Sequence, residues 1–348
     1  MLRPESISTL TLRTTSLEQL QRSQSALVRA QAEQASGRHY DAGLVLGYQV
    51  GRNLDWHGEI NRIGAQTARN DLAGVKAALA QDAMDGVRAL AQGLVATLAG
   101  AQGASNGRAL AQSEAQAAWG QLVDLMGAAQ GGQHVFSGIN SDQPPLSAYQ
   151  GSSGAAAVTT AFQSAFGISQ IDPAARLIAA DDLKNFLAGE FASLFDEAGW
   201  QASWSAAASA TQMARPGAQA DLDIAVTANA EGFRAVAQGI AMVMDLAKAP
   251  LNDGAFRALA EEAMARLTQG IDGITREQSR VGLAQQALKQ ANDRLHAKRD
   301  YLTTAITTTE GVDQTEVAMR INTLMTQLEA GYAITSRLSR LSLLNYLT

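Results

Sequence analysis

Between Asn252 and about Thr308, every seventh residue is apolar: Ala260, Leu267, Ile274, Val281, Leu288, Leu295 and Leu302. Ala263, Ala284, Ala291 and Ala305 add a second row of small residues three positions on, and no proline interrupts the stretch. An apolar row sustained this long, with polar residues between, predicts one helix in coiled-coil-like packing. At about 1.5 Å per residue such a helix spans on the order of 80 Å. Helices of compact domains mostly stop well short of that. The row therefore points to a filament subunit or a long adaptor, the competing reading being a surface helix of a bundle domain.

The same period recurs on the N-terminal side. Residues 6–36 predict a helix with one narrow stripe, Leu10, Leu17, Leu20 and Leu27, closed by Gly37 as a C-cap. One stripe makes a helix that is marginal alone and needs a partner. Residues 38–47 form a glycine-punctuated link of no clear period. From about Leu54 to Leu98 the helical pattern returns through Leu72, Val75, Leu79, Ala83, Val87, Leu90, Leu94 and Leu98, and Gly100 to Gly107 interrupts it. A further helix is expected from Arg108 to Gln130, with Trp119, Leu122, Leu125 and Met126 on one side. Gly131-Gly132 stops it, a short strand and turn follow at 133–138, and Pro144-Pro145 marks a boundary.

The middle changes character. Asp181 to Glu197 predicts a helix, while Trp200–Ser205 and Leu222–Thr227 alternate and predict strands, with Arg215-Pro216-Gly217 as a turn between them. After a helix at 230–248 and Pro250 comes the long row, which breaks over 307–312. Asp313 then caps a last helix, with Glu316 placed for a capping box. Its stripe is Val317, Ile321, Leu324, Leu328, Leu338 and Leu341, and Leu343-Leu344 follows. The layout is symmetric, and two lone stripes at opposite ends of one chain are placed to cover each other. The expected fold is mainly α: a long coiled-coil-like helical bundle formed by the N- and C-terminal parts, with a small mixed α/β inserted domain. The expected segments are 1–50 and 311–348 for the paired terminal helices, 51–144 and 229–310 for the two halves of the long-helix bundle, and 145–228 for the insertion.

Composition narrows the function without naming it. The net charge of −6 has no like-charged block behind it, so nucleic acid is not an expected partner. Between Gln150 and Ala230 eight acids face three bases, so the middle is expected to be solvated. There is no cysteine, hence no disulfide and no thiolate chemistry. No apolar run reaches membrane-spanning length and no Sec-type signal peptide is visible, so departure from the cytoplasm would need another route.

Candidate chemistry is thin. Gly103-Ala104-Ser105-Asn106-Gly107 has the letters of a nucleophile elbow, but a helical pattern precedes it where a strand is needed. His39, His57, His134 and His296 lack partners at metal-site spacing. Asp221 and Asp223 flank Leu222 as solvated strand carboxylates do. No enzyme, cofactor or metal is expected.

Three stretches resemble a known family. Ala35-Ser36-Gly37-Arg38 through Gly47 is similar to the link after the first helix of the flagellin family. Gly131-Gly132-Gln133-His134-Val135-Phe136-Ser137-Gly138 through Pro145 resembles a segment of its hook–filament junction type (hook-associated protein 3), with His134 where an aromatic is usual. The leucine-rich end Leu341–Leu347 resembles the family's C-terminus. The resemblance covers roughly 1–145 and 228–348, and the middle matches nothing named. It implies a structural subunit of the bacterial flagellum that assembles with itself in a ring or helix and contacts a neighbouring hook-associated protein and flagellin. It also implies export through the flagellar type III route without a cleaved signal, escorted by a cytoplasmic chaperone, which we expect on the C-terminal helix. A filament flagellin and a cytoplasmic coiled-coil scaffold stay open as alternatives. The expected assembly interface is Leu10, Leu17, Leu20, Leu27, Val317, Ile321, Leu324, Leu328, Leu338, Leu341 and Leu344.

Overall fold

The computed structural model describes residues 9–102, 106–210 and 224–344, with side chains apart from those of 9, 10, 12, 13 and 338–344. Eleven α-helices and one two-stranded hairpin are found among these residues. The chain divides into two compact units, one from Met1–Gly64 with Leu295–Thr348 and the other Ala65–Arg294. The predicted rod is a single helix, α10 (Asp253–Glu310), started by the Asn252 side chain, which accepts the Ala255 N–H at 2.9 Å. Its counterpart α3 runs Val50–Ala101.

The buried rows of α3 differ from those expected. Leu72 and Val75 face solvent; Ala77, Met84, Ala91 and Leu98 form one buried row and Ala80, Val87 and Leu94 another. Ala83, Val87, Leu94 and Leu98 are buried as expected, whereas the alanines that complete the rows do not stand out in a hydrophobicity pattern and Leu72 and Val75 stand out in their place. Against these rows lie α4 (Gly107–Met126), with Trp119, Leu122 and Met126 buried, and the buried row Ala260, Leu267, Ile274 and Val281 of α10. The fourth helix, α9 (Glu231–Leu246), is buried all round apart from Glu231 and Arg234. That follows from its almost uninterrupted apolar sequence. It crosses α10 closely where Gly232 meets Gly273: a Cβ on Gly273 would stand 2.7 Å from Gly232 Cα. Any side chain there forces the helices apart.

Residues 145–228 share this core rather than forming a separate one. The helices α5 (Ser153–Phe166), α6 (Ala180–Ala188), α7 (Glu190–Ser193) and α8 (Glu197–Ser203) pack through a chain of rings. Phe162, Phe186, Phe191, Phe195 and Trp204 touch in sequence, and Trp204 lies 5.2 Å from Trp119 of α4. Asp181, Asp182, Glu190, Asp196 and Glu197 are exposed outside this aromatic core. The single helix expected over Asp181–Glu197 is broken at Gly189 and restarted at Asp196, whose carboxylate accepts the Gly199 N–H at 2.7 Å. The strand expected at Trp200–Ser205 belongs mostly to α8: Trp200 and Trp204, four apart, share one helical face, and only Ser205 makes an extended bridge, to Leu146. Of the other expected strand, 221–223 lie outside the described residues, as does the Arg215-Pro216-Gly217 turn; 224–227 pair with no strand, and Ile224 packs on Ala284 and Leu288.

The stretch from Ala129 to Pro145 closes this unit. The α4 helix ends at Met126, short of the expected Gln130, and β1 (Ala129–Gln130) turns back into β2 (Gln133–His134). Phe136 is fully buried, edge-on to Phe233 at 5.3 Å. Its carbonyl accepts the Ala228 N–H, while Ser137 O accepts the Ala208 N–H and Ile139 N–H donates to Ala210 O. One short segment thus holds the backbone on both sides of 211–223. Removing the Phe136 ring leaves a cavity where these strands meet, so Phe136→Ala should lower stability by about 3–5 kcal/mol, seen as a lower urea midpoint with an unchanged slope.

Candidate assembly interface

The unit made of the chain's two ends is built on α1 (Thr9–Ser36) and α11 (Gln314–Leu344). They run antiparallel: Gln314 reaches Gln34, Arg320 reaches Glu33, and Gly331 lies on Leu20. Leu20 and Ala30 of α1 and Val317 and Leu328 of α11 are buried between them, with Leu27, Ile321 and Leu324 half-buried. Each stripe therefore covers the other. Burying a leucine contributes about 1.5–3 kcal/mol, enough to matter for helices that are marginal alone. Gly331 lets the helices approach: a Cβ there would meet Leu20 Cδ2 at 2.6 Å.

The joint beyond these helices is polar. Gly37 ends α1 with φ +70°, and the link 38–47, expected to be irregular, carries a short helix α2 (Ala42–Leu46) capped by Asp41. Arg38 and Gly311 pair as an isolated bridge, with Val312 N–H donating to Gly37 O and His39 N–H to Glu310 O. Two buried carboxylates hold this joint. Glu33 accepts the Tyr40 N–H at 3.0 Å and Arg320 at 3.1 Å. Glu310 takes Arg38 at 3.2 Å and His57 Nε2 at 3.0 Å, and beside it Asn53 donates to Thr309 Oγ1. These glutamates are the residues of the joint that pattern reading missed. The signal was present: Glu33 follows Ala30 by three and Glu310 follows Leu302 and Ile306 by fours, so both continue an apolar stripe.

Asp313 caps α11 as expected, accepting Thr315 N–H at 2.8 Å and Glu316 N–H at 3.3 Å. Those backbone N–H groups hold its carboxyl below the usual range. Glu316 turns to Arg320 instead of completing a capping box. The hydrogen bond from Lys298 likewise holds the Glu59 carboxyl low, with Arg62 adding to it.

The expected interface residues divide. Leu20, Val317 and Leu328 seal the helix pair, Leu27, Ile321 and Leu324 edge it, and Leu17 is exposed on its outside. The side chains of Leu10, Leu338, Leu341 and Leu344 lie outside the described residues. Apolar surface left open is found elsewhere as well: Val28 on α1, Met325 and Tyr332 on α11, and Leu44 and Tyr48 of the link, 83% and 93% exposed. A groove of about 720 Å³ runs beside α1, with Arg22, Arg29, Tyr40, Leu44 and Val45 among its walls. Among the described residues no three His, Asp or Glu side chains gather as a metal site, and no helix is long and apolar enough to cross a membrane. Gly103–Ser105 of the elbow-like sequence lie outside the described residues, between α3 and α4.

Residues 7–141 match the bacterial flagellin N-terminal helical region, and residues 264–347 match the bacterial flagellin C-terminal helical region. The chain belongs to the flagellin family. Its fold is similar to a solved structure described as a "putative flagellar hook-associated protein" from Vibrio parahaemolyticus, with TM-score 0.52 at 10% identity, over 75% of this chain and 97% of that one. No curated protein matches the sequence. This flagellin-family chain is thus a structural subunit of the flagellum, a component exported for assembly outside the cell. The scaffold alternative falls with that membership.

Two outcomes test the joint. Glu310→Gln removes the charge between Arg38 and His57; since Arg38 is half exposed, the loss should be about 1–3 kcal/mol, read as earlier proteolytic release of α11. Asp313 has a lowered folded pKa, so its contribution is full above the ordinary carboxylate value and is lost as pH falls through the lowered one. Exchange of the first-turn amides of α11 should therefore accelerate below about pH 4, and Asp313→Asn should remove that dependence.

Proposed function

We propose that this subunit joins hook to filament, as a junction protein of the hook-associated type. The reading rests on the segment Gly131–Pro145, which resembles that type and whose Phe136, Ser137 and Ile139 hold the backbone flanking 211–223. The likeness in fold to the Vibrio protein agrees with it. On this reading residues 1–50 and 311–348 form the inner layer, 51–144 and 229–310 the bundle around it, and 145–228 the outer part. Copies associate through the terminal-helix pair, with Leu10, Leu17, Leu20, Leu27, Val317, Ile321, Leu324, Leu328, Leu338, Leu341 and Leu344 as its assembly residues. Leu20, Val317 and Leu328 act by sealing the pair, and Leu17 by facing a neighbour. The partners are further copies, an adjoining hook-associated protein and flagellin. Export follows the flagellar type III route, and a small helical chaperone covers 313–348 beforehand, because an amphipathic helix suits a grooved helical partner and open apolar faces propagate into fibres.

Gold-labelled antibody on isolated flagella decides the main point. Label confined to the hook–filament boundary is expected; label along the whole filament would make the chain a flagellin. Leu328→Asp places a carboxylate in the α1–α11 seam at a cost of several kcal/mol. Cells carrying it should lack attached filaments while the purified protein keeps the helical content of residues 65–294. A version ending at Gly311 should fail to retain the chaperone; undiminished capture would move that site to the N-terminal helix.

A further inference from the structure

All the sulfur of this chain is in methionine: there are nine methionines and no cysteine. The thioether is therefore the group that an oxidant finds first. Burial sorts the methionines sharply. Met84, Met126 and Met242 are fully buried and Met244 nearly so, all in the core of the second unit, and Met264 is partly buried against it. Met319 and Met325 are 59% and 46% exposed, and both stand on α11. Met1 and Met213 lie outside the described residues.

The two exposed sulfurs differ in their surroundings. Met319 follows the buried Val317 by two residues, which sets it on the side of α11 away from the seam with α1. Met325 follows the half-buried Ile321 by four residues and precedes Tyr332 by seven, so the three share one flank of the helix. The Tyr332 hydroxyl accepts Gln24 Nε2 of α1, which places that flank beside α1. Leu17 and Val28, seven before Gln24 and four after it, lie on the matching flank of α1. The edge of the seam is thus apolar on both helices, and Met325 is a half-covered member of it.

We infer that Met325 is an oxidation site through which hydrogen peroxide loosens the α1–α11 pair. The sulfur lone pair attacks one peroxide oxygen, the S–O bond forms and the O–O bond breaks. The proton of the attacked oxygen passes to the other, which leaves as water. The thioether is oxidised to the sulfoxide and the peroxide is reduced. A sulfoxide is polar where the thioether was apolar, so it resists the half-covered place that Met325 occupies. At Met319 the same product stays in water and costs the pair nothing. The inference holds for a junction protein and a filament subunit alike, because it concerns the helix pair itself.

The test treats the full-length protein with hydrogen peroxide and weighs its peptides by mass spectrometry. Met319 and Met325 should each gain an oxygen well before Met84, Met126, Met242 and Met244. Trypsin should then release α11 from the treated protein about fivefold faster, the effect of losing roughly half of one side chain's burial. Methionine sulfoxide reductases, which reverse the oxidation, should restore the untreated rate. Met325→Leu keeps the apolar contact without an oxidisable sulfur and should abolish the acceleration, whereas Met319→Leu should keep it. Met325→Gln, polar and of similar length, should release α11 early without peroxide. The inference is overturned if Met325 oxidises no faster than the buried methionines, if peroxide leaves the release unaltered, or if the acceleration persists in Met325→Leu.

Discussion

An amphipathic helix with one apolar stripe has to be covered, and almost everything in this protein follows from how its stripes are covered. The stripe of α1 is narrow and lies at the start of the chain; that of α11 lies at its end. Neither has a neighbour in sequence to pack on, so the two come together across the whole length of the polypeptide. The same holds for α3 and α10, whose buried rows meet in the second unit. Non-local pairing of this kind makes the ends of the chain interdependent.

Apolar stripes bring helices together but choose poorly among alignments. Buried polar groups meet specific partners at several of these contacts. Glu33 and Glu310 accept donors from the link, from α3 and from α11 at the joint where the terminal helices meet the long ones, and Asn70 meets Asn292 in the stem. Each such group is costly to bury and costlier to leave unpaired. Gly331 and the Gly232–Gly273 crossing add a steric criterion, since they admit a neighbour at one place only.

Residues 145–210 and 224–228 are packed into the same core as the long helices. The phenylalanines and tryptophans of this insertion run into Trp119 of α4, and the Phe136 segment holds the backbone flanking 211–223, so the bundle and the insertion share one core. Five of its acids, Asp181, Asp182, Glu190, Asp196 and Glu197, are exposed, which is why charge alone pointed to a solvated segment.

The long helices, the turn at Gly131-Gly132, the break at Pro250, the cap at Asp313 and the mutual need of the two end stripes were legible in the sequence, because period, glycine, proline and capping chemistry act over a few residues. The family followed from the same local stretches. What the sequence left open is whatever depends on residues far apart in the chain. The start of the α3 row, at Leu72 and Val75, was misplaced because the buried positions there are alanines, whose burial is decided by how closely another helix approaches. The Trp200 and Trp204 pair reads equally as strand or helix until an aromatic core selects one face. Glu33, Glu310 and Asn70 look like ordinary surface residues until tertiary packing removes water from them, and only then do their partners, 253 residues apart for His57 and Glu310 and 222 for Asn70 and Asn292, give them a role.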